Sequence, residues 1–184
     1  PQDASAWALQ LPDGPLRDNA VLNVTRGWTQ NSPQEAAKFI SSLPAGDLQC
    51  DAAIAVVSQW SSTDPQAAAA WAAVFPEGPL QTSALQNVIP TWANASPQAV
   101  ENWLGTLSPG SARDTAIGIL ASGLADSSPA AALQWVEGMS DSNVRSVALE
   151  NMAGRWLGED HDAAAKWIAG SPLTDQQKAR LLAN

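Results

Sequence analysis

"WSSTDPQAAAAWAAVFPEGPL" (Trp60–Leu80) holds two tryptophans eleven positions apart, an Asp-Pro pair, a run of four alanines and a Pro-Glu-Gly break. An acidic residue followed by proline reads as a helix start. The side-chain oxygen satisfies a free N–H, and proline occupies the first helical position, where its missing N–H costs nothing. The helix that follows has almost no polar side. A free amphipathic helix shows water a charged face. A segment this apolar is therefore expected to touch other chain on several sides.

The same punctuation recurs along the 184 residues. Trp28, Trp60 and Trp92 are 32 apart, and Trp156 continues the series after Leu124. A second series at the same period runs Trp71, Trp103, Trp135 and Trp167, and backwards to Phe39 and Trp7. No gap is needed. An internal period of this length marks a solenoid-type array. Ser32, Asp64, Ser96, Ser128 and Asp160 form the capping column. Pro33, Pro65, Pro97 and Pro129 follow them, and His161 takes the proline place in the last copy as a tolerated first-turn residue.

Stacking the copies predicts two short helices in each. The first, of about eleven residues at 3.6 per turn, turns Ala36, Phe39, Ile40 and Leu43 inward. Equivalent sets are Ala68, Trp71, Ala72 and Phe75, and Val100, Trp103, Leu104 and Leu107; their offsets trace one helical face. Pro12, Pro44 and Pro76 end it. Gly14, Gly46, Gly78 and Gly110 then open the second helix, with Ser142 and Thr174 expected as N-caps in that column. This helix is expected to run about fourteen residues, near 20 Å, with Leu16, Ala20, Val21, Val24 and Trp28 inward, matched by Leu48, Ala52, Ala53, Val56 and Trp60. Pro90 within it predicts a local kink.

The expected fold is thus all-α, a right-handed α-solenoid of about six 32-residue helical hairpins. It forms one domain over 1–184, with repeats 1–32, 33–64, 65–96, 97–128, 129–160 and 161–184. Pro1 falls on a repeat junction without its cap, so the chain reads as the C-terminal part of a longer array. Thr174 with Gln177 predicts a capping box, and Arg180 a polar terminal cap. The pattern resembles the tetratricopeptide-like α-solenoids, with a shorter unit, no tyrosine and tryptophans in other places. The W-x3-[SD]-P-x2-A-x2-W form, complete in Trp60–Trp71 and with Val100 in the alanine place in Trp92–Trp103, is similar to tandem repeats of uncharacterised bacterial proteins often exported to the cell envelope. That resemblance implies a scaffold, slightly favours periplasm or envelope over cytoplasm, and carries no catalytic residue.

Composition narrows the function. Eighteen acidic against nine basic residues give a net charge of −9. Such a surface repels nucleic acid, which needs clustered Lys or Arg. No apolar run is long enough to insert in a membrane. Cys50 stands alone, in a column with Asp18, Thr82, Asp114 and Ser146 that reads as polar and solvent-facing, so a passive thiol is expected. No nucleophile–base pair, metal-ligand set or phosphate loop interrupts the repeat, so neither enzyme nor cofactor nor metal is expected. Arg17, Arg113 and Arg145 alternate with Gln49, Gln81 and Gln177 and read as structural ties, compensated by an acidic cap of an adjoining repeat.

The leading expectation is a noncatalytic protein or peptide scaffold. A structural array that self-associates end to end is the second reading, and an enzyme with an unrecognised site the third. The tryptophans are assigned to the core rather than to a ligand ladder. The contact surface is placed on the outer strip of the first helices, at Ala69, Ala70, Ala73, Glu101, Asn102, Gly105, Leu133, Gln134 and Glu137. A solvated face would carry longer polar chains than these.

Overall fold

The computed structural model describes residues 1–183 and is all-helical over them, with twelve helices and no strand. The six first helices of the hairpins are α1 (Gln2–Leu9), α3 (Pro33–Ser41), α5 (Pro65–Ala72), α7 (Pro97–Thr106), α9 (Pro129–Glu137) and α11 (His161–Gly170). The second helices are α2 (Pro15–Thr29), α4 (Asp47–Trp60), α6 (Pro79–Ala95), α8 (Ser111–Leu124), α10 (Ser142–Glu159) and α12 (Asp175–Leu182). The chain divides into two compact units, Pro1–Val100 and Glu101 onward. In the first, α2 packs on α4 and α4 on α6, while α3 and α5 each lie against the second helices before and after them. In the second, α9 sits between α8 and α10, and α11 between α10 and α12. Neighbour-to-neighbour packing of this kind is solenoid-like.

Helix starts obey the proline column, but the caps differ in kind. Asp64 and Asp160 accept from the N–H of Ala67 and Ala163 at 3.0 and 3.1 Å. Ser32 and Ser128 hold the N-cap position without a side-chain bond. Gly14, Gly78 and Gly110 cap the second helices at φ of 140°, 150° and 155°, a backbone region that a Cβ disfavours. Where the glycine is absent the entry changes. Asp141, not Ser142, caps α10, accepting from the N–H of Asn143 and Val144, and Ser142 becomes the first helical residue. Donation by those two amides lowers the Asp141 carboxyl below its ordinary pKa. Thr174 and Gln177 form the expected capping box. Helix α6 runs unbroken through the exposed Pro90.

The core of the first unit is made by Val21, Ile40, Val56, Leu85 and Ile89, all fully buried, with Trp28, Trp60 and Trp92 between them. Leu104, Ile117, Leu133 and Ile168 serve the second.

Candidate functional site

Burial divides the tryptophans, though not cleanly by series, since Trp156 on α10 is half-buried. Trp28, Trp60 and Trp92 on the second helices are at most 8% exposed, since α2, α4 and α6 are stacked on one another. On the first helices, Phe39, Trp71, Trp135 and Trp167 are only half-buried, and Trp7 is 57% exposed; Trp103 is the buried member of that series. Assignment of every tryptophan to the core is therefore corrected. A first helix is covered by the second helices before and after it, and its remaining flank leaves one edge of the ring to solvent. Trp71 shows how that edge is used. Its ring meets Trp60 at 6.3 Å and Phe75 edge-on at 4.9 Å, and its Nε1–H donates to Ser41 Oγ at 3.2 Å, reaching from α5 to α3.

Beside Trp71 lies a groove of about 550 Å³ between the turn ends of two successive hairpins. Its apolar wall is Trp71, Phe75, Leu43 and Leu80, with Val74, 80% exposed, on the rim. Ser41, Gln49, Cys50 and Glu77 supply the side-chain polar groups. The volume and the few polar groups on an apolar wall match ordinary ligand sites. A second groove, of about 420 Å³, lies in the other unit and is lined by Glu137, Lys166, Trp167 and Ser171 among others. Glu137, Trp167 and Ser171 are the repeat equivalents of Ser41, Trp71 and Phe75, three periods on. The groove is thus a recurring place in the repeat.

The sequence explains why it is wide at Trp71. In the second unit, the buried Asp114 accepts from the backbone N–H of Ser140 and Asp141, both at 2.8 Å, tying α8 to the α9–α10 turn. Arg113 adds a second tie, from Nη1 to the Gly138 carbonyl at 2.6 Å. Two repeats upstream the corresponding residues are Gln49, Cys50, Val74, Pro76 and Glu77. Cysteine brings no carboxylate, and Pro76 has no N–H to donate. Gln49 is the shorter chain and donates to the Ile40 and Leu43 carbonyls of its own hairpin. Neither tie can form, and the groove opens between the parts they would have joined.

The same geometry corrects two expectations. Column mates of Cys50 are not uniformly solvent-facing, because Asp114 is 6% exposed; Cys50 itself is half-buried in the groove wall. The Arg/Gln column does tie structure together, but mainly through backbone carbonyls at the end of the preceding first helix. Gln81 donates to the Ala73 and Phe75 carbonyls, Arg113 to Leu104, and Arg145 to Met139. Donors there satisfy the free carbonyls and meet the negative end of the dipole. Arg17 pairs with Asp13 of its own hairpin, not with an acidic cap of an adjoining repeat.

Of the strip placed on the first helices, Ala69 and Leu133 are fully buried and are withdrawn from it. They share a column with Ala37, also buried. A helix held between two second helices hides a wider arc than one apolar stripe suggests. Ala70, Asn102, Gly105, Gln134 and Glu137 are exposed, Ala73 and Glu101 half-exposed. Glu137 joins Trp167 in the second groove, whereas Ala70 and Ala73 are not in the wall of the first. Val74, Pro76 and Glu77 escaped the sequence reading. They lie at the turn that follows the first helix, off the helix strip on which the contact surface was placed.

His161 is exposed, 3.7 Å from the Asp162 carboxylate. Among the described residues no three His, Cys, Asp or Glu side chains are placed to hold a metal ion, and no helix is long and apolar enough to cross a membrane. Comparisons with protein-family models, with curated proteins and with solved structures returned no match.

Proposed function

We propose that the chain is a noncatalytic scaffold that binds protein or peptide segments against its first-helix layer, in the grooves beside Trp71 and Trp167. The observation that carries this reading is the recurrence of one groove, at one register of a 32-residue period, next to tryptophans left half-open. A tryptophan needed only for packing gains most by being covered; aromatic rings with one wet edge are the usual anchors of recognition surfaces. Exposed Ala70, Asn102, Gly105 and Gln134 flank this layer with short side chains and leave a partner room to approach. In this reading the hairpins follow a right-handed, tetratricopeptide-like path with six copies of the unit.

The test is capture from native lysate by the chain and by a Val74→Arg variant, with helicity checked by circular dichroism. Val74 is exposed, so folding should be unchanged while capture of groove-bound partners falls by tenfold or more. Full capture by the folded variant removes the Trp71 groove from the reading. Self-association is a second reading, favoured by Val144 and Val147, which are 50% and 58% exposed at helical spacing on α10. Light scattering that shows a concentration-dependent dimer abolished by Val147→Lys would support it.

A further inference from the structure

The Trp71 groove has a directional charge. Its lining includes one full charge, the Glu77 carboxylate, and no basic side chain. Partial charges from the helices largely cancel there, because the C-terminal end of α5 and the N-terminal end of α6 meet at the same turn. The carbonyls of Ala73 and Phe75 are already taken by Gln81, so they compete little for a ligand's donors. The first unit as a whole carries eight acidic side chains (Asp3, Asp13, Asp18, Glu35, Asp47, Asp51, Asp64, Glu77) against three basic ones (Arg17, Arg26, Lys38). Long-range attraction and the local carboxylate therefore point the same way. The apolar wall is equally one-sided: Trp71, Phe75, Leu43 and Leu80, with Pro76 and Pro79 stiffening the turn beside them.

Resting on the scaffold reading above, we infer that this groove takes an extended peptide segment that pairs an apolar side chain with a lysine or arginine. The apolar side chain lies on Trp71 and Phe75, and the cation meets Glu77. An acidic segment would bring like charge to the only charged wall group and lose its own hydration without compensation. Cys50 has no bond-forming part in this and serves as wall.

Selection of a random heptapeptide display library on the intact chain tests it. The expected pool combines Arg or Lys with Leu, Pro or aromatic residues. The consensus peptide should shift the Trp71 indole N–H resonance, assigned by its loss in Trp71→Phe. Its affinity should fall about tenfold in Glu77→Lys and severalfold in Glu77→Gln, and weaken with salt. Glu77 is exposed, so both variants are expected to keep the helical spectrum. A pool dominated by acidic or uncharged peptides that still shift Trp71 overturns the charge assignment and leaves the scaffold standing. So does a basic pool indifferent to Glu77→Lys. A library that yields no peptide shifting the indole resonance of Trp71 or Trp167 overturns both.

Discussion

Replacing Trp60 and Trp71 separately by alanine separates packing from recognition. Trp60 is 5% exposed on α4, with Trp71 against its ring. An indole buries roughly 150–250 Å²; at about 25 cal/mol per Å² its transfer contributes near 4–6 kcal/mol. Alanine recovers part of that, and partial collapse of the cavity limits the rest, so Trp60→Ala should cost about 3–5 kcal/mol. Trp71 is only half-buried and its one polar bond, to Ser41, is exposed. Scaling by burial puts Trp71→Ala near 2 kcal/mol. At about 2–4 °C per kcal/mol for a chain of this length, the melting temperature should drop by roughly 6–20 °C for the first and 4–8 °C for the second. Thermal and urea unfolding followed by far-ultraviolet circular dichroism measure both. Equal losses would refute the argument, since they would make Trp71 as much a core residue as Trp60. A loss under about 1 kcal/mol at Trp60 would refute the packing of the second helices themselves.

Three further outcomes follow from the same geometry. Asp114→Ala leaves two turn amides without their acceptor and should cost about 3–5 kcal/mol in urea unfolding, taking charged hydrogen bonds at roughly 1.5–3 kcal/mol each; hydrogen exchange at Ser140 and Asp141 should accelerate together. The double change Cys50→Asp with Pro76→Ser installs the acceptor and one of the donors of that tie in the first unit; a crystal structure should show a narrower groove, and the display-selected peptide should bind several times more weakly. Asp141 and Glu150 both have lowered pKa values, the first from the Val144 and Asn143 amides, the second from donation by Gln177 and then Arg180. A lowered folded-state value means the stabilisation is present above the unfolded values, near 3.8 and 4.5, and disappears as pH falls through the folded ones. Melting temperature should thus be flat toward neutral pH and decline below these values, and Asp141→Asn with Glu150→Gln should flatten part of that decline.

The period of 32, the Ser/Asp-Pro helix starts and the all-α architecture were legible because each rests on local chemistry that recurs along the chain. One proline could be an accident; four at a fixed interval after a capping residue could not. Burial on the second helices was legible in part. Trp28, Trp60 and Trp92 sit on the same apolar face as Val21, Val56 and Val88. Leu16, also expected inward, is instead 70% exposed at the helix start, and Trp156 is half-buried. What periodicity does not fix is the width of the buried arc. Ala69 and Leu133 lie about 100° from the centre of the apolar stripe, where a helix with one partner is open and a helix with two is closed. Alanine at 69 gives no sign of which applies. The polarity of a column is a similarly poor guide. Asp114 shares its place with Asp18 and Thr82, yet it is buried, because a carboxylate that finds two amide donors can leave water.

In the scaffold reading, specificity resides in the groove. In a repeat array the columns that recur describe the fold, so residues that follow them carry little information about a partner. Cys50 and Pro76 each look innocuous alone: a small polarizable side chain in a polar column, and a proline at a turn. Their meaning appears only through the pair they replace, Asp114 with the Ser140 amide, because the tie needs both an acceptor and a donor and is lost if either is missing. Gln49 in place of Arg113 removes the second tie in the same hairpin. Gln49, Cys50 and Pro76 each leave out one part of the tie seen in the second unit, and the half-open Trp71 lies beside the resulting gap. In the scaffold reading, the gap left beside an aromatic wall and a lone carboxylate is the place a partner occupies.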